Sequence, residues 1–428
     1  SVTFPNLSQE LKQMNLGLGG TRNFTFQYKG IRTADNGSLA LVANTGTWLY
    51  YALGACSAIT YTNKALSGFA LKAVGGAAFS AQEPAEIHTT AGGTEEQDVV
   101  FIEGSNNAAS GINQSGPLFY RTVKGSNVIV PPIDHSLVDV ATVQALTRTD
   151  GASSPITYTF EELNTDQLPS FSMEQSMAKD PAVLTTNSTS SNNAITADES
   201  NNFVRIARGC RINSLTIEAS EGEELKMNMD INARTVDSIT DLYRSAGVAS
   251  SAYISRAGQT DNANLFNFNA GTLNGAPFFF SQGTFTAFGQ QFLKVNSVSI
   301  EINNNLMDKR YMGGHRDMKE GIPAQRTYTI TFEAVVTDDK LFTEMLNETE
   351  VASSSSRVKF VFEKPDTSEK ITLNFEDYFL STTEITIPDD KGPVTFSSTI
   401  QPRSLSTVNT AGNAAVGCEV ITDNVLLG

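Results

Sequence analysis

The chain has 428 residues, of which 40% are apolar and 18% charged, and its 30 basic against 46 acidic side chains give a formal net charge of −16. That balance repels phosphates and so disfavours tight nucleic-acid binding, and no stretch approaches the roughly 18 apolar residues a membrane-spanning helix needs. The length allows two or three domains, and 32 Gly with abundant Asn, Ser and Thr is the profile of a turn-rich β protein.

Along the chain, residues 1–20 read as an N-terminal arm, with Leu7, Leu11 and Met14 on one side of a short helix that Gly17, Gly19 and Gly20 break. No basic stretch followed by an apolar run marks a secretory signal. Phe24, Phe26 and Tyr28 alternate as a strand, and Asp35-Asn36-Gly37 predicts a hairpin turn back through Leu39 and Leu41. Trp48 to Ala55 predicts a short buried helix with Gly54 near its C-terminus. Residues 66–149 shift toward Gly, Ala, Ser and Asn and read as a β-rich insertion in a first β domain over 21–245. Strands follow at Pro155 to Phe160 and Leu168 to Glu174, then a polar surface loop from Lys179 to Asn202.

The strongest signal is a repeat. Asn213-Ser214-Leu215-Thr216-Ile217-Glu218 returns as Asn296-Ser297-Val298-Ser299-Ile300-Glu301, and each copy is followed by a second alternating strand. After the first, Leu225, Met227, Met229 and Ile231 alternate with Lys226, Asn228 and Asp230. After the second, Tyr328, Ile330, Phe332 and Ala334 alternate with Thr329, Thr331 and Glu333. A period of two buries one face and leaves the other to solvent or a partner. Residues 246–265 read as a linker, 266–408 as a second β domain and 409–428 as a C-terminal arm. In the second domain come strands at Phe278 to Phe280 and Thr284 to Phe288, the long loop Asn303 to Gln325, and a short amphipathic helix from Asp338 to Asn347. Strands at Val358 to Phe362, Ile371 to Phe375, Tyr378 to Leu380, Ile385 to Ile387 and Val394 to Phe396 complete it. The fold class expected is mainly β, with duplicated sandwich or barrel domains and a short flanking helix.

Catalytic and metal signatures are missing. His315-Arg316-Asp317 resembles a kinase catalytic loop, but Ile322 stands where that loop needs Asn. His88 and His135 have no metal-ligand spacing, and Glu95-Glu96 with Asp98, like Glu221 with Glu223 and Glu224, fits a solvated acidic turn better than a calcium loop. Cys56, Cys210 and Cys418 are far apart and odd in number, as buried or free thiols are. Neither enzyme activity nor a cofactor is expected.

Taken in order, Trp48 to Gly54, Leu168 to Glu174, Arg208 to Ile217, and the run from the second signature through Arg316-Asp317 and Gly321-Ile322-Pro323 into Thr327 to Phe332 resemble the phage major tail tube proteins, long members with two β domains. The resemblance covers roughly residues 40 to 400, the insertion excepted. It implies a virion structural protein made in the host cytoplasm, whose strands join those of other copies in a β-barrel ring. Rings would stack into a tube that passes DNA and meets tape-measure, terminator and baseplate components, without membrane insertion. It assigns Leu306, Met307, Lys309, Arg310, Tyr311, Met312, His315, Arg316, Asp317 and Ile322 to an inter-ring loop. Lys226, Asn228, Asp230, Thr329, Thr331 and Glu333 would face the lumen. Rings of this family carry six domain copies, so two copies per chain imply a trimer of pseudo-sixfold character, whereas one copy with a decoration would imply a hexamer. A receptor- or carbohydrate-binding β-sandwich is the alternative.

Overall fold

The computed structural model describes residues 1–14, 26–61, 156–163, 168–178, 202–238, 276–312, 320–337, 339–346, 358–367, 369–389, 392–405 and 417–422, with six short strands between 67 and 146. The predicted loop before residue 202 and the predicted linker at 246–265 lie outside these. The architecture is mainly β, as expected, with two short α-helices among the described residues.

Two strand layers enclose the core. The first runs, in spatial order, through β1 (Val2–Thr3) with β2 (Asn6–Met14), β3 (Phe26–Val42), β14 (Lys226–Ala233), β13 (Asn202–Ser220), β18 (Val295–Asn303), β21 (Thr327–Val335), β24 (Thr395–Leu405) and the later half of β23 (Lys370–Thr386), all antiparallel. The second runs through β4 (Gly54–Tyr61), β11 (Ile156–Glu162), β25 (Cys418–Thr422), the first half of β23, β22 (Val358–Glu363), β16 (Gly283–Ala287) and β17 (Gln290–Phe292). Strand β23 crosses from one layer to the other. Alternation dictates what lies between them. Met227, Met229, Ile217, Ile300, Ile330 and Phe332 of the first layer are buried, and Phe332 meets Phe285 of the second with ring centres 4.8 Å apart, while Phe285 stacks on Phe360 at 4.6 Å.

Helix α1 (Thr47–Leu53) ends at Gly54, whose φ of 109° is left-handed and whose N–H donates to the Tyr50 carbonyl, as predicted from that glycine. Helix α2 (Lys340–Leu346) follows β21. The insertion forms a sheet of its own, in which β5 (Ser67–Ala73), β6 (Ala85–Thr89), β7 (Val99–Ile102), β8 (Leu118–Thr122), β9 (Ile129–Val130) and β10 (Val143–Leu146) lie in the order β6-β5-β10-β7-β8-β9.

Several expectations are corrected. The arm is not helical: Leu7, Leu11 and Met14 lie on β2, which hydrogen-bonds along β3. An open sheet edge satisfies a backbone along its whole length, whereas a short helix with nothing against its apolar side stays marginal. Asp35-Asn36-Gly37 makes no turn, because β14 on one side and the N-terminal strands on the other hold β3 extended through it. Gly37 serves close approach instead, since a Cβ there would lie 2.7 Å from the Pro5 ring. Phe279 forms only an isolated bridge, and a 3-10 turn follows at Phe280–Gln282. The three short strands expected between 371 and 387 are the single β23. Residues Cys418–Thr422, placed in a C-terminal arm by sequence, form β25 between β11 and β23.

The first layer repeats strand for strand about the β13–β18 seam. In chain order and in space, β1/β2, β3, β13 and β14 match β18, β21, β23 and β24. The rung Val42↔Lys226 matches Val335↔Thr395. Just beyond each, Ala43 N–H donates to the Leu225 carbonyl at 2.7 Å and Val336 N–H to the Val394 carbonyl at 2.9 Å. Thr3↔Ser38 matches Ser299↔Thr331. Even the bulges agree, between Ile212 and Ser214 on β13 and between Leu380 and Thr382 on β23. Helices α1 and α2, each of 7 residues, start at the same distance beyond Val42 and Val335. The repeated hexapeptide is therefore not the structural repeat: its two copies face one another across the seam, with Ile217 opposite Ile300.

Candidate functional site

The side of the first layer that faces away from the core is polar across six strands. Register aligns Lys226, Glu218, Ser299, Thr331 and Thr399 in one row, and Asn228, Thr216, Glu301 and Thr329 in the next. All six residues read as lumen-facing, Lys226, Asn228, Asp230, Thr329, Thr331 and Glu333, lie on this face, and their alternating neighbours are buried. The face is acidic: Glu218, Asp230, Glu301, Glu333 and Glu384 outnumber Lys226 and Arg403. Local bonds hold several side chains in place. Asn228 donates to Glu218 at 2.9 Å, Ser214 donates to Asp230 at 2.9 Å, and Lys226 pairs with Glu223 at 2.7 Å.

The loop from Asn303 to Gln325 is a ribbon on a rigid base. Its described part forms β19 (Met307–Lys309) against β20 (Glu320–Ile322). At the base, Asn304 is fully buried; its amide donates to the carbonyls of Ala52 and Ile212, each at 3.1 Å, and its oxygen accepts from Arg326 at 2.8 Å. Arg326 also donates to the Leu53 carbonyl at 3.0 Å, Leu306 N–H to Asn213 at 2.9 Å, and Arg211 to the Gly321 carbonyl at 2.9 Å. Beyond this anchorage Met307, Lys309, Tyr311 and Met312 are exposed, Met312 completely. Leu306, Arg310 and Ile322 are half-buried, and Arg310 donates to the Arg32 carbonyl of β3 at 3.2 Å. His315, Arg316 and Asp317 lie outside the described residues.

Sequence reasoning missed the counterpart of this ribbon. The rungs Met307↔Ile322 and Lys309↔Glu320 occupy the same places, relative to β18 and β21, as Leu11↔Lys29 and Gln13↔Gln27 do in the β2–β3 hairpin. Both ribbons begin after a one-residue shift in register. Every residue of β2 is exposed, and Leu11, Met14, Phe26 and Tyr28 add apolar surface. The available signal was the exposed alternation of Phe26 and Tyr28, with Met14 opposite Phe26, which a helical reading of the arm obscured.

Among the described residues no three His, Cys, Asp or Glu side chains are grouped to hold a metal ion. Cys56, Cys210 and Cys418 are buried free thiols. A cavity of about 200 Å³ beside Phe285 and Leu293 carries no titratable side chain in its lining.

A family model described as phage tail tube protein matches residues 41–411. No curated protein matches the chain. Chains of solved structures match as well, among them one described as the tail of an empty GTA particle computed with helical refinement in C6 symmetry. That chain has 12% identity and a TM-score of 0.21, and the match covers 28% of this chain and 89% of that one.

Proposed function

The chain belongs to the phage tail tube protein family and is a structural component of a viral tail; from that premise we propose that its copies close into rings, three chains to a ring, and that rings stack into a hollow tube through which DNA leaves the particle. The observation that carries this reading is the first layer itself: buried on one face, acidic and wet on the other, and open at both edges. Closing such sheets into a barrel removes the edges. An acidic lumen then lets a polyanion slide without adhering.

Two matching sets of four strands per chain support a ring of three chains with pseudo-sixfold repetition. The domain division proposed is a first tube unit built on β1 to β4, β11, β13 and β14, carrying the insertion, and a second built on β16 to β24, into which β25 returns. Eight strands from each of three chains place about 24 strands around the bore, with a radius of roughly 18 Å before tilt at the usual strand spacing. The ribbon at 303–325 and the hairpin of β2 with β3 are the stacking arms, each offering exposed apolar side chains to the adjacent ring. Tape-measure, terminator and baseplate proteins are the partners expected along and at the ends of such a tube, and assembly is expected in the host cytoplasm. The role is mechanical, not enzymatic.

Deleting Lys309 to Lys319 tests the stacking arms. The expected product is a folded protein that forms single rings and no tubes in electron micrographs; tubes of normal length would contradict the assignment.

A further inference from the structure

The seam between the two halves describes how neighbouring chains meet. We propose that the outer edge of β23 in one chain pairs antiparallel with β1 of the next, in the register of the internal β13–β18 seam, so that Ile387 stands opposite Val2 and Ile385 opposite Phe4. The inference rests on the reading that the chain closes into rings and adds the residues that close them.

The argument starts from equivalence. In spatial order β13 is the last strand of the first set and β23 the last of the second; β18 is the first strand of the second set and β1 the first of the first. Inside the chain, last meets first: Ala219 pairs with Val298 and Ile217 with Ile300. By the matched rungs and bulges, Ile387 and Ile385 take the places of Ala219 and Ile217, and Val2 and Phe4 those of Val298 and Ile300. Among the described residues, neither β1 nor the 380–386 part of β23 pairs with a strand on its outer side.

Exposure marks the same open ends. Ala219 is 3% exposed and Ile387 75%; Val298 is 7% exposed and Val2 60%. The helices repeat the contrast. Leu53 of α1 is fully buried where Asn304 and Arg326 of the second half reach the last carbonyls of the helix. Its equivalent Leu346 on α2 is 66% exposed, and the residues at the places of Asn304 and Arg326 are Ser8 and Thr33, whose hydroxyls bond to each other at 2.6 Å. Apolar side chains that are buried at the seam are thus bare at Val2, Ile385 and Ile387, while Phe4 is already buried, with the Arg205 guanidinium 4.6 Å from its ring centre. One edge fits the other and neither fits itself, which is a heterologous contact, and such contacts close rings when the rotation permits. An unpaired edge carrying exposed isoleucines is otherwise an aggregation hazard.

Paired cysteines in the full-length chain test the register. With Val2→Cys and Ile387→Cys together, oxidised rings should run on a non-reducing denaturing gel as a closed species of three chains, because each chain is tied to both neighbours. With Val2→Cys and Thr386→Cys, one residue out of step, the side chains point to opposite faces and cross-linking should fall at least about tenfold. Cross-linking of the out-of-step pair instead, or of neither pair in rings that still form, overturns the interface while leaving the ring reading intact. If the unsubstituted protein forms no rings, the ring reading itself fails. As a second measurement, Ile387→Asp should leave the far-ultraviolet circular dichroism unchanged and abolish rings; rings from a folded Ile387→Asp protein overturn the proposal.

Discussion

Three sets of buried polar side chains each make a testable claim. Asn304 joins α1, β13 and Arg326 through one amide. Asn304→Leu leaves two buried carbonyls and a guanidinium short of partners, and should lower unfolding free energy by about 3 kcal/mol in denaturant titrations. Lys364 and Glu369, both 6% exposed, pair at 2.5 Å, and Glu369 also accepts from Thr422 at 3.0 Å. Lys364→Met strands a buried carboxylate and should cost about 3–5 kcal/mol, of which Lys364→Met with Glu369→Leu should recover most. The third grouping is the protonated phenols and thiols of the core. Burial pushes Tyr51 and Tyr378 from 10.0 up to about 12, with the Phe288 N–H that donates to Tyr378 opposing its shift, and burial pushes Cys210 from 9.0 up to about 12. The unfolded chain releases these protons at the ordinary values and the folded chain only near pH 12. Their contribution is therefore complete below about pH 9 and is lost as pH rises toward 12. Denaturation midpoints should decline across that range, and less steeply in Tyr51→Phe; equal slopes would contradict the burial of that phenol.

At the scale of elements, alternation made the central strands legible. Lys226 to Ala233 and Thr327 to Val335 follow a strict period of two because one face packs and the other does not. Helix α1 was legible because Gly54 takes the left-handed cap that ends it. What failed were segments whose state is set by a distant partner. The spacing of Leu7, Leu11 and Met14 is helical, yet β2 is a strand because β3 offers it an edge. Strand β23 carries a bulge and changes layers, which breaks its alternation into pieces. The true repeat escaped notice because it is written in register: Met227 and Phe396 hold matching places without resembling each other, while the closest sequence match joins strands that do not correspond. Placement of the loop residues as stacking contacts came from the family resemblance, and their pairing with the N-terminal hairpin from geometry alone. That pairing predicts equal importance for the two arms. Leu11→Asp with Tyr28→Asp should shorten tubes as deletion of Lys309 to Lys319 does, measured by tube length in micrographs, and normal lengths would contradict it.

At the scale of the whole molecule, the net charge of −16 is matched in sign by the wet face of the first layer. On the wet face of the first layer carboxylates outnumber basic side chains, the balance that the proposed bore needs to keep a polyanion mobile. Replacing Glu218, Glu301 and Glu333 with Lys should leave assembly intact while making tubes retain DNA in a salt-dependent manner, read by co-sedimentation; tubes that retain none would place those side chains away from the bore. The most direct measurement is electron microscopy of the purified protein over a concentration series, with end-on class averages. The account predicts hollow stacked rings whose averages show three chains and six similar lobes. Separate single chains at every concentration, or rings without threefold symmetry, would contradict it.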